Sequence, residues 1–425
     1  MKYLSVKTMT NTKDLQIFGM PAVKGRWIFV LLGLVALLCM GTVYSWSIFR
    51  SPLQEHFGIN ATQSLLPFTV LLFLYSLLMP LAGFQLQRLG ASKMMAIGGL
   101  VIGVGYVLSG FAINPLMLTI SYGVITGSGI GIAYGVPLAV SAQWFPDKKG
   151  LAVGLTVIGF GLSPLVTAPL AKSTIGTFGV LPTFIILGVT FATIIIAIST
   201  LMQLPPKGWQ PPGWEGAKSM NSAEHQGEKL WQLPSFYALW SCYAIGTFVG
   251  LSAIGISSSV AQEIIKLNPE TATLTVSLFA IFNGLGRPLF GWLADRLQPR
   301  RAATISYILI IIASILMLHA KEGQILTYIF AFSLFWLCLG GWLALAPTAT
   351  LKLFNSANYA KNYGMVFTAY GVGALLGTTI AGQIRDLFGS YTYAFYPTAI
   401  LAVLGIIVAE FKLRHSSAAS KFIPS

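Results

Sequence analysis

The chain has 425 residues, 55% hydrophobic and 9% charged. An ordinary soluble domain carries about 25% charged residues, so the polar surface of a soluble fold is missing, and the aliphatic and aromatic content excludes a disordered chain. The net charge of +14 does not mark a nucleic-acid surface, because the basic residues sit in short loops between apolar runs.

Residues 1–26 form a polar, basic N-terminal tail with Lys2, Lys7, Lys13, Lys24 and Arg26. The apolar run from Trp27 to about Phe49 is too long for a signal-peptide core and reads as a retained first span. Further apolar segments follow at 62–87, 94–112, 115–142, 150–171 and 178–203. Each approaches or exceeds the roughly 20 residues that a membrane helix needs. A polar stretch at 205–233, rich in Pro, Gly, Lys and Glu, interrupts the pattern. Six more segments run at 234–261, 271–293, 302–319, 325–350, 362–384 and 391–412, and a tail at 413–425 ends the chain. The predicted fold is an all-α polytopic membrane protein. Twelve transmembrane helices form two pseudo-symmetric six-helix bundles, 27–204 and 234–412, joined by the 205–233 linker. Short connections make successive helices antiparallel neighbours.

Twenty of the 26 Lys and Arg residues lie in the tails and in the loops on their side. Five lie on the other side: Arg50, Lys172, Lys266, Lys321 and Arg385. This bias places both tails and the linker in the cytoplasm of a multi-pass protein of the cell (inner) membrane. The unit expected is a monomer in the lipid bilayer, with no nucleic-acid partner.

Cys39, Cys242 and Cys338 all lie in apolar segments without metal-ligand spacing, so they read as buried hydrophobes. His56, His225, His319 and His415 lie in loops, at span ends or in the tail and form no cluster, so no enzyme centre is visible. No phosphate-binding loop of the G-x-x-x-x-G-K-[ST] type occurs, so ATP-driven pumping is not expected. No metal or cofactor is expected either.

An internal repeat supports two related halves. Residues 83–93 read GFQLQRLGASK after the second span, and residues 291–301 read GWLADRLQPRR after the eighth. Both carry Gly, three residues, an acid or amide, then Arg: Gly83, Gln87 and Arg88 in one copy, Gly291, Asp295 and Arg296 in the other. Parallel six-helix repeats are a known transporter construction. The pattern resembles the major facilitator superfamily over the whole chain. That resemblance implies a gate lock. The Gly lets two helices approach, the Asp meets the positive N-terminus of a helix in the other half, and the Arg joins the charge network. Gln87 stands where Asp is usual, which predicts a weaker lock in that half.

Glycines at 123, 127, 131 and 135 align on one face of the fourth span, and the pairs 99/103, 150/154 and 373/377 repeat the spacing. Such faces admit close helix approach in lipid. Pro137, Pro164, Pro288 and Pro347 lie within spans and can bend them.

Arg287 reads as the one ionisable residue deep in a span. It lies eight residues before Asp295, about 12 Å from the inner end. Charges at such depth usually face a cavity and mark a substrate or ion path. Asn283 is one turn earlier on the same face, and Pro288 follows. A guanidinium there suits a carboxylate.

The blocks YSW at 44–46, GIGIAYG at 129–135, QWFPDKKGLAVG at 143–154, FNGLGRPLFGWLADR at 282–296 and AKNYG at 360–364 resemble the oxalate/formate antiporter branch. That branch is similar to the monocarboxylate transporters. The resemblance implies that Arg287 binds a substrate carboxylate. It also exposes departures. The branch has a second cation, a lysine in span eleven, where this chain has Tyr370. It has Gln before the tyrosine of span one, where this chain has Val43. Its aromatic wall positions in spans five, ten and eleven become Phe160, Leu339, Leu343 and Phe367, while Tyr44 and Tyr134 remain. Animal monocarboxylate carriers place an Asp where Asn283 stands, and Asn carries no proton. One cation in a more apolar cavity predicts one negative charge on a small organic anion such as lactate, pyruvate, formate or acetate. Transport would be proton symport or exchange against a counter-anion. The expected binding set is Arg287, Asn283, Tyr44, Tyr134, Phe160, Phe367, Tyr370 and Trp342, with Phe248 a further candidate for the wall. The alternatives are oxalate/formate exchange, or export of a drug, siderophore or amino acid. Such exporters often use an intramembrane acid, and none is visible.

Overall fold

The computed structural model describes residues 15–206, 209–212, 230–354 and 359–413. Residues 1–14, most of the central linker and residues 414–425, with His225 and His415, lie outside the described residues. A two-residue antiparallel hairpin, Gln16–Ile17 with Met20–Pro21, precedes the helices. These are α1 Ala22–Phe57, α2 Ala61–Leu89, α3 Ala91–Ser109, α4 Pro115–Trp144, α5 Lys149–Phe178, α6 Val180–Ser199 and α7 Pro234–Glu263. The stretch Pro269–Leu318 is helical by hydrogen bonding but holds Gln298 at φ 71°, ψ 153°. Pro299 follows it. The chain reverses there, giving α8 (269–297) and α9 (299–318). Helices α10 Ile325–Leu353, α11 Lys361–Phe388 and α12 Tyr391–Lys412 complete twelve spans.

The ends are set by local chemistry. Asn60 accepts the Gln63 amide and Gln63 reaches back to the Asn60 amide, a capping box that starts α2. Asn114–Pro115 and Asn268–Pro269 start α4 and α8 with an Asn cap and a proline whose missing donor costs nothing there. Gly58 ends α1 in the left-handed region, at φ 62°.

The two halves pack alike. Helix pairs α1–α5, α2–α4 and α3–α6 in one half correspond to α7–α11, α8–α10 and α9–α12 in the other. Between halves, α2 packs on α11 and α5 packs on α8. Small residues permit these contacts. Any Cβ at Gly286 or Gly340 would strike the facing backbone at Leu337 or Asn283, which fixes α8 against α10. Gly123, Gly127 and Gly131 face α2, Gly99 and Gly103 face α6, and Gly373 and Gly377 face α7. Gly135, Gly150 and Gly154 face open space, so the expected contact surface does not form at those three.

The first span differs from expectation. Arg50 does not lie in a loop, because α1 continues to Phe57. Arg26 is not a free tail charge either. It is 3% exposed and donates to both oxygens of Asp147, at 2.6 and 2.8 Å, and to the Trp144 carbonyl. Its guanidinium also covers the Phe145 ring at 4.3 Å. The hydrogen bonds from Arg26 hold the Asp147 carboxyl below the ordinary carboxylate range. A lowered value stabilises the fold above the unfolded-state pKa and loses that effect as pH falls through the folded-state value. Asp147→Asn is therefore expected to cost about 1–3 kcal/mol at neutral pH. Thermal unfolding in detergent should show the mutant below wild type at pH 7, with the gap closing as pH falls below 4.

Candidate functional site

The site is built where α1, α2, α4, α5, α8, α10 and α11 meet. Helix α1 tightens into a 3-10 turn at Gly41–Ser45. Gly41 lies against the Phe160 backbone of α5, and this seats Tyr44 in the centre. Tyr44 and Tyr370 share a hydroxyl hydrogen bond of 3.0 Å across the halves. Phe160 meets Tyr44 edge-on at 5.0 Å and Tyr134 edge-on at 5.2 Å. Phe367 stacks on Tyr370 at 5.2 Å. Tyr75 of α2 touches Tyr134, Phe160, Phe367 and Tyr370. The result is a closed aromatic cage with hydroxyl groups set into an apolar wall.

Arg287 stands beside this cage on α8. Its Nη1 donates to the Val157 carbonyl of α5 at 2.7 Å, and its Nη2 reaches Asn283 Oδ1 at 3.4 Å. Its Nε is buried with no hydrogen-bond partner, and no carboxylate pairs with it among the described residues. Asn283 is fixed in turn, since its Nδ2 donates to the Trp336 carbonyl of α10 at 3.1 Å. The Nε/Nη2 edge of the fork lies against Gly161 of α5. A Cβ there would come within 3.2 Å of Nε, 3.1 Å of Nη2 and 2.6 Å of Asn283 Oδ1. That edge is the one a carboxylate grips with two parallel bonds.

Seven of the eight expected binding residues gather around this centre: Arg287, Asn283, Tyr44, Tyr134, Phe160, Phe367 and Tyr370. Trp342 does not join them directly. It packs a layer behind, on Tyr243, Tyr307 and Gly246. Phe248 presents its backbone to Gly377, and Leu339 packs on Gly250. The α10 ring that reaches Tyr44 is Trp336, at 6.4 Å. Trp336, Tyr75, Gly161 and Val157 escaped the sequence reading.

The gate residues are placed differently from expectation. Gly83, Gln87 and Arg88 are exposed, with open space around Gly83. Arg296 is also exposed. Asp295 pairs at 3.0 Å with Lys352, which belongs to its own half, and Gly291 is loosely packed. Arg287 is also not the one deep charge, because Arg50 is fully buried. A lock of the expected kind occurs instead at the end of the bundle away from the termini. There Asp386 of α11 accepts the Ala61 and Thr62 amides and the Thr62 hydroxyl at the N-terminus of α2. Gly382 lies against Thr62 there.

The model of the Major Facilitator Superfamily matches residues 31–253 and 239–425. The chain belongs to that superfamily. Among its relatives is the oxalate:formate antiporter of Oxalobacter formigenes, 28% identical over 95% of this chain and 94% of the relative. Monocarboxylate transporter 12 of Mus musculus is 22% identical over 95% of this chain and 88% of its own length. Among solved structures, a bacterial homologue of the human lysosomal transporter Spinster, inward-facing and occupied, superposes with a TM-score of 0.68. It is 14% identical and covers 94% of this chain and 98% of its own. The superfamily's fold is thus present, and the resemblance to the oxalate/formate antiporter branch stands.

Gly161→Ala is expected to displace Arg287 and Asn283 while keeping the charge. Binding of small carboxylates to purified protein should weaken about tenfold, equivalent to about 1.4 kcal/mol. Unchanged affinity would show that this edge of the guanidinium is not used.

Proposed function

We propose that this superfamily member is a secondary transporter of small monocarboxylate anions that works by alternating access. The observation that carries this reading is the buried Arg287 fork, with a free Nε and only neutral neighbours, beside a closed aromatic cage at the contact of the two halves. Arg287 grips the carboxylate through its Nε/Nη2 edge. Asn283 holds the guanidinium in plane and offers an uncharged polar group to the anion. Tyr44, Tyr75, Tyr134, Phe160, Phe367 and Tyr370 enclose the apolar remainder. Because the edge lies against α5, the anion reaches it when α5 and α8 separate. The two bundles move as units about this site, joined by the 205–233 linker. The loop-charge bias supports cytoplasmic termini in the cell membrane, so the end carrying Asp386 faces outward.

The relative named for oxalate and formate makes oxalate exchange the second reading. A dianion needs two cations for a fully compensated site. Here the position opposite Arg287 holds Tyr370, bonded to Tyr44. Phenols supply hydrogen bonds but no charge, which favours the monoanion. Transport is by proton symport or by exchange, and Asn283 cannot carry the proton.

Uptake of labelled lactate, pyruvate, formate, acetate and oxalate into proteoliposomes tests this reading, with and without a pH gradient and internal anion. Arg287→Lys keeps the charge and loses the fork, and it is expected to reduce uptake more than 10-fold. Normal transport by Arg287→Ala, or oxalate exchange as fast as lactate uptake, would overturn it.

A further inference from the structure

We propose that Arg50 is a second, outer carboxylate-binding group that receives the anion when the outer end opens and is reclaimed by the protein when it closes. This rests on the reading above for the substrate's charge and for which end faces out.

Among the described residues, Arg50 is the one charged group with no exposure. Its fork is fully satisfied. Nε donates to Ser64 Oγ at 3.1 Å, and Nη2 donates to the Ala61 carbonyl at 3.2 Å; both belong to α2. Nη1 donates to the Gly255 carbonyl at 3.3 Å and to Ser259 Oγ at 2.9 Å in α7. Nη2 also donates to the Tyr391 hydroxyl of α12. Every acceptor is neutral, and no carboxylate pairs with Arg50 among the described residues. A buried cation that serves only as a staple would be better served by an acid partner, because a lone charge in low dielectric is costly. Neutral acceptors hold the guanidinium without occupying it electrostatically.

The bonds divide by half. Those to Ser64 and Ala61 stay within the N-terminal half. Those to Gly255, Ser259 and Tyr391 cross to the C-terminal half. Opening the outer end must break the crossing set together and free Nη1 and one proton of Nη2, while the bonds to Ser64 and Ala61 stay. Arg50 lies six residues beyond Tyr44 on the same helix, about 9 Å along the axis, so it is on the way to the cage. On the other face of α1, a separate cavity of about 260 Å³ lies at the same seam. Ser51, Glu55, Lys172, Ser258, Gln262 and Thr273, from α1, α5, α7 and α8, line it. Lys172 has no acid partner within 4 Å among the described residues. Lys172 and Glu55 share this cavity, so the charge offered to an arriving carboxylate is that of Arg50 once its crossing bonds are broken. Closure returns Gly255, Ser259 and Tyr391 to Arg50, so the anion is released inward toward Arg287.

The test is sidedness. In oriented proteoliposomes, Arg50→Gln is expected to raise the outer-face KM for lactate about tenfold and leave the inner-face KM within about twofold. Lys172→Gln, at a partly exposed position, should raise the outer KM about threefold, more at low than at high salt. A residue that only latches the gate behaves oppositely. Its loss favours the outward-open state and lowers the outer KM. An outer KM that falls or stays unchanged in Arg50→Gln overturns the proposal, as does an equal rise at both faces. If Arg50→Gln does not assemble, the outer KM of Arg50→Lys, which keeps the charge but loses the fork, decides in the same way. Loss of transport from both faces in Arg287→Lys reports on the central site alone, so the two readings fail separately.

Discussion

Hydrocarbon offers a guanidinium no acceptors, so a buried arginine must take them from the protein or from its cargo. Arg287 takes one good acceptor, the Val157 carbonyl, and one long one, Asn283 Oδ1, and keeps Nε unpaired. The packing around it follows from this need. Gly161 lacks a side chain where the fork must lie, and Asn283 is held from behind by the Trp336 carbonyl. Glycines at 286 and 340 let α8 and α10 come close enough to hold that arrangement. Removing any of these contacts leaves a charge with fewer partners in a low dielectric, where each missing bond weighs most.

The fold was legible because hydropathy is nearly the whole signal in a membrane chain. Twelve apolar runs became twelve helices, and the reversal at Gln298 and Pro299 falls where the second basic loop motif ends. Arg50 was misplaced for a physical reason. A cation after an apolar run normally marks the water interface, and here it marks a buried seam supplied with backbone and hydroxyl acceptors from three helices. Arg26 deceived in the same way, through its fork on Asp147. The cage was half legible. Tyr44, Tyr134, Phe160, Phe367 and Tyr370 came from resemblance to a family. Tyr75 and Trp336 did not, because aromatics are common in every span and nothing in a single sequence tells an inward ring from a lipid-facing one.

The gate motifs show why contact cannot be read from motif alone. An Asp near a helix end seeks the positive end of another helix, but which helix it meets depends on which end of the bundle is closed. Here the cross-half side-chain bonds gather at the end carrying Arg50, Asp386 and the Thr69–Thr378 pair. Asp386 on the N-terminus of α2 repeats, at the opposite end, the bond that the repeat motif led one to expect of Asp295. Asp295 meanwhile rests on Lys352 in its own half, so this latch does not join the halves.

Neutral partners for Arg50 and Arg287 have a common consequence. An acid beside Arg287 would compete with an incoming carboxylate on equal terms, and displacing it would cost a charge-assisted bond of about 1.5–3 kcal/mol. Asn283 competes only as a weak amide acceptor. The fork is thus held in geometry but not in charge, which is the condition under which an anion binds with net gain despite its own dehydration. Under the proposed function, the cage then sets an upper limit on that charge. Its phenols at Tyr44, Tyr75, Tyr134 and Tyr370 offer hydrogen bonds but no positive charge, and its remaining surface is ring. A second carboxylate in that wall would be dehydrated against groups that cannot balance it, whereas a methyl or short alkyl end would displace water at no electrostatic cost.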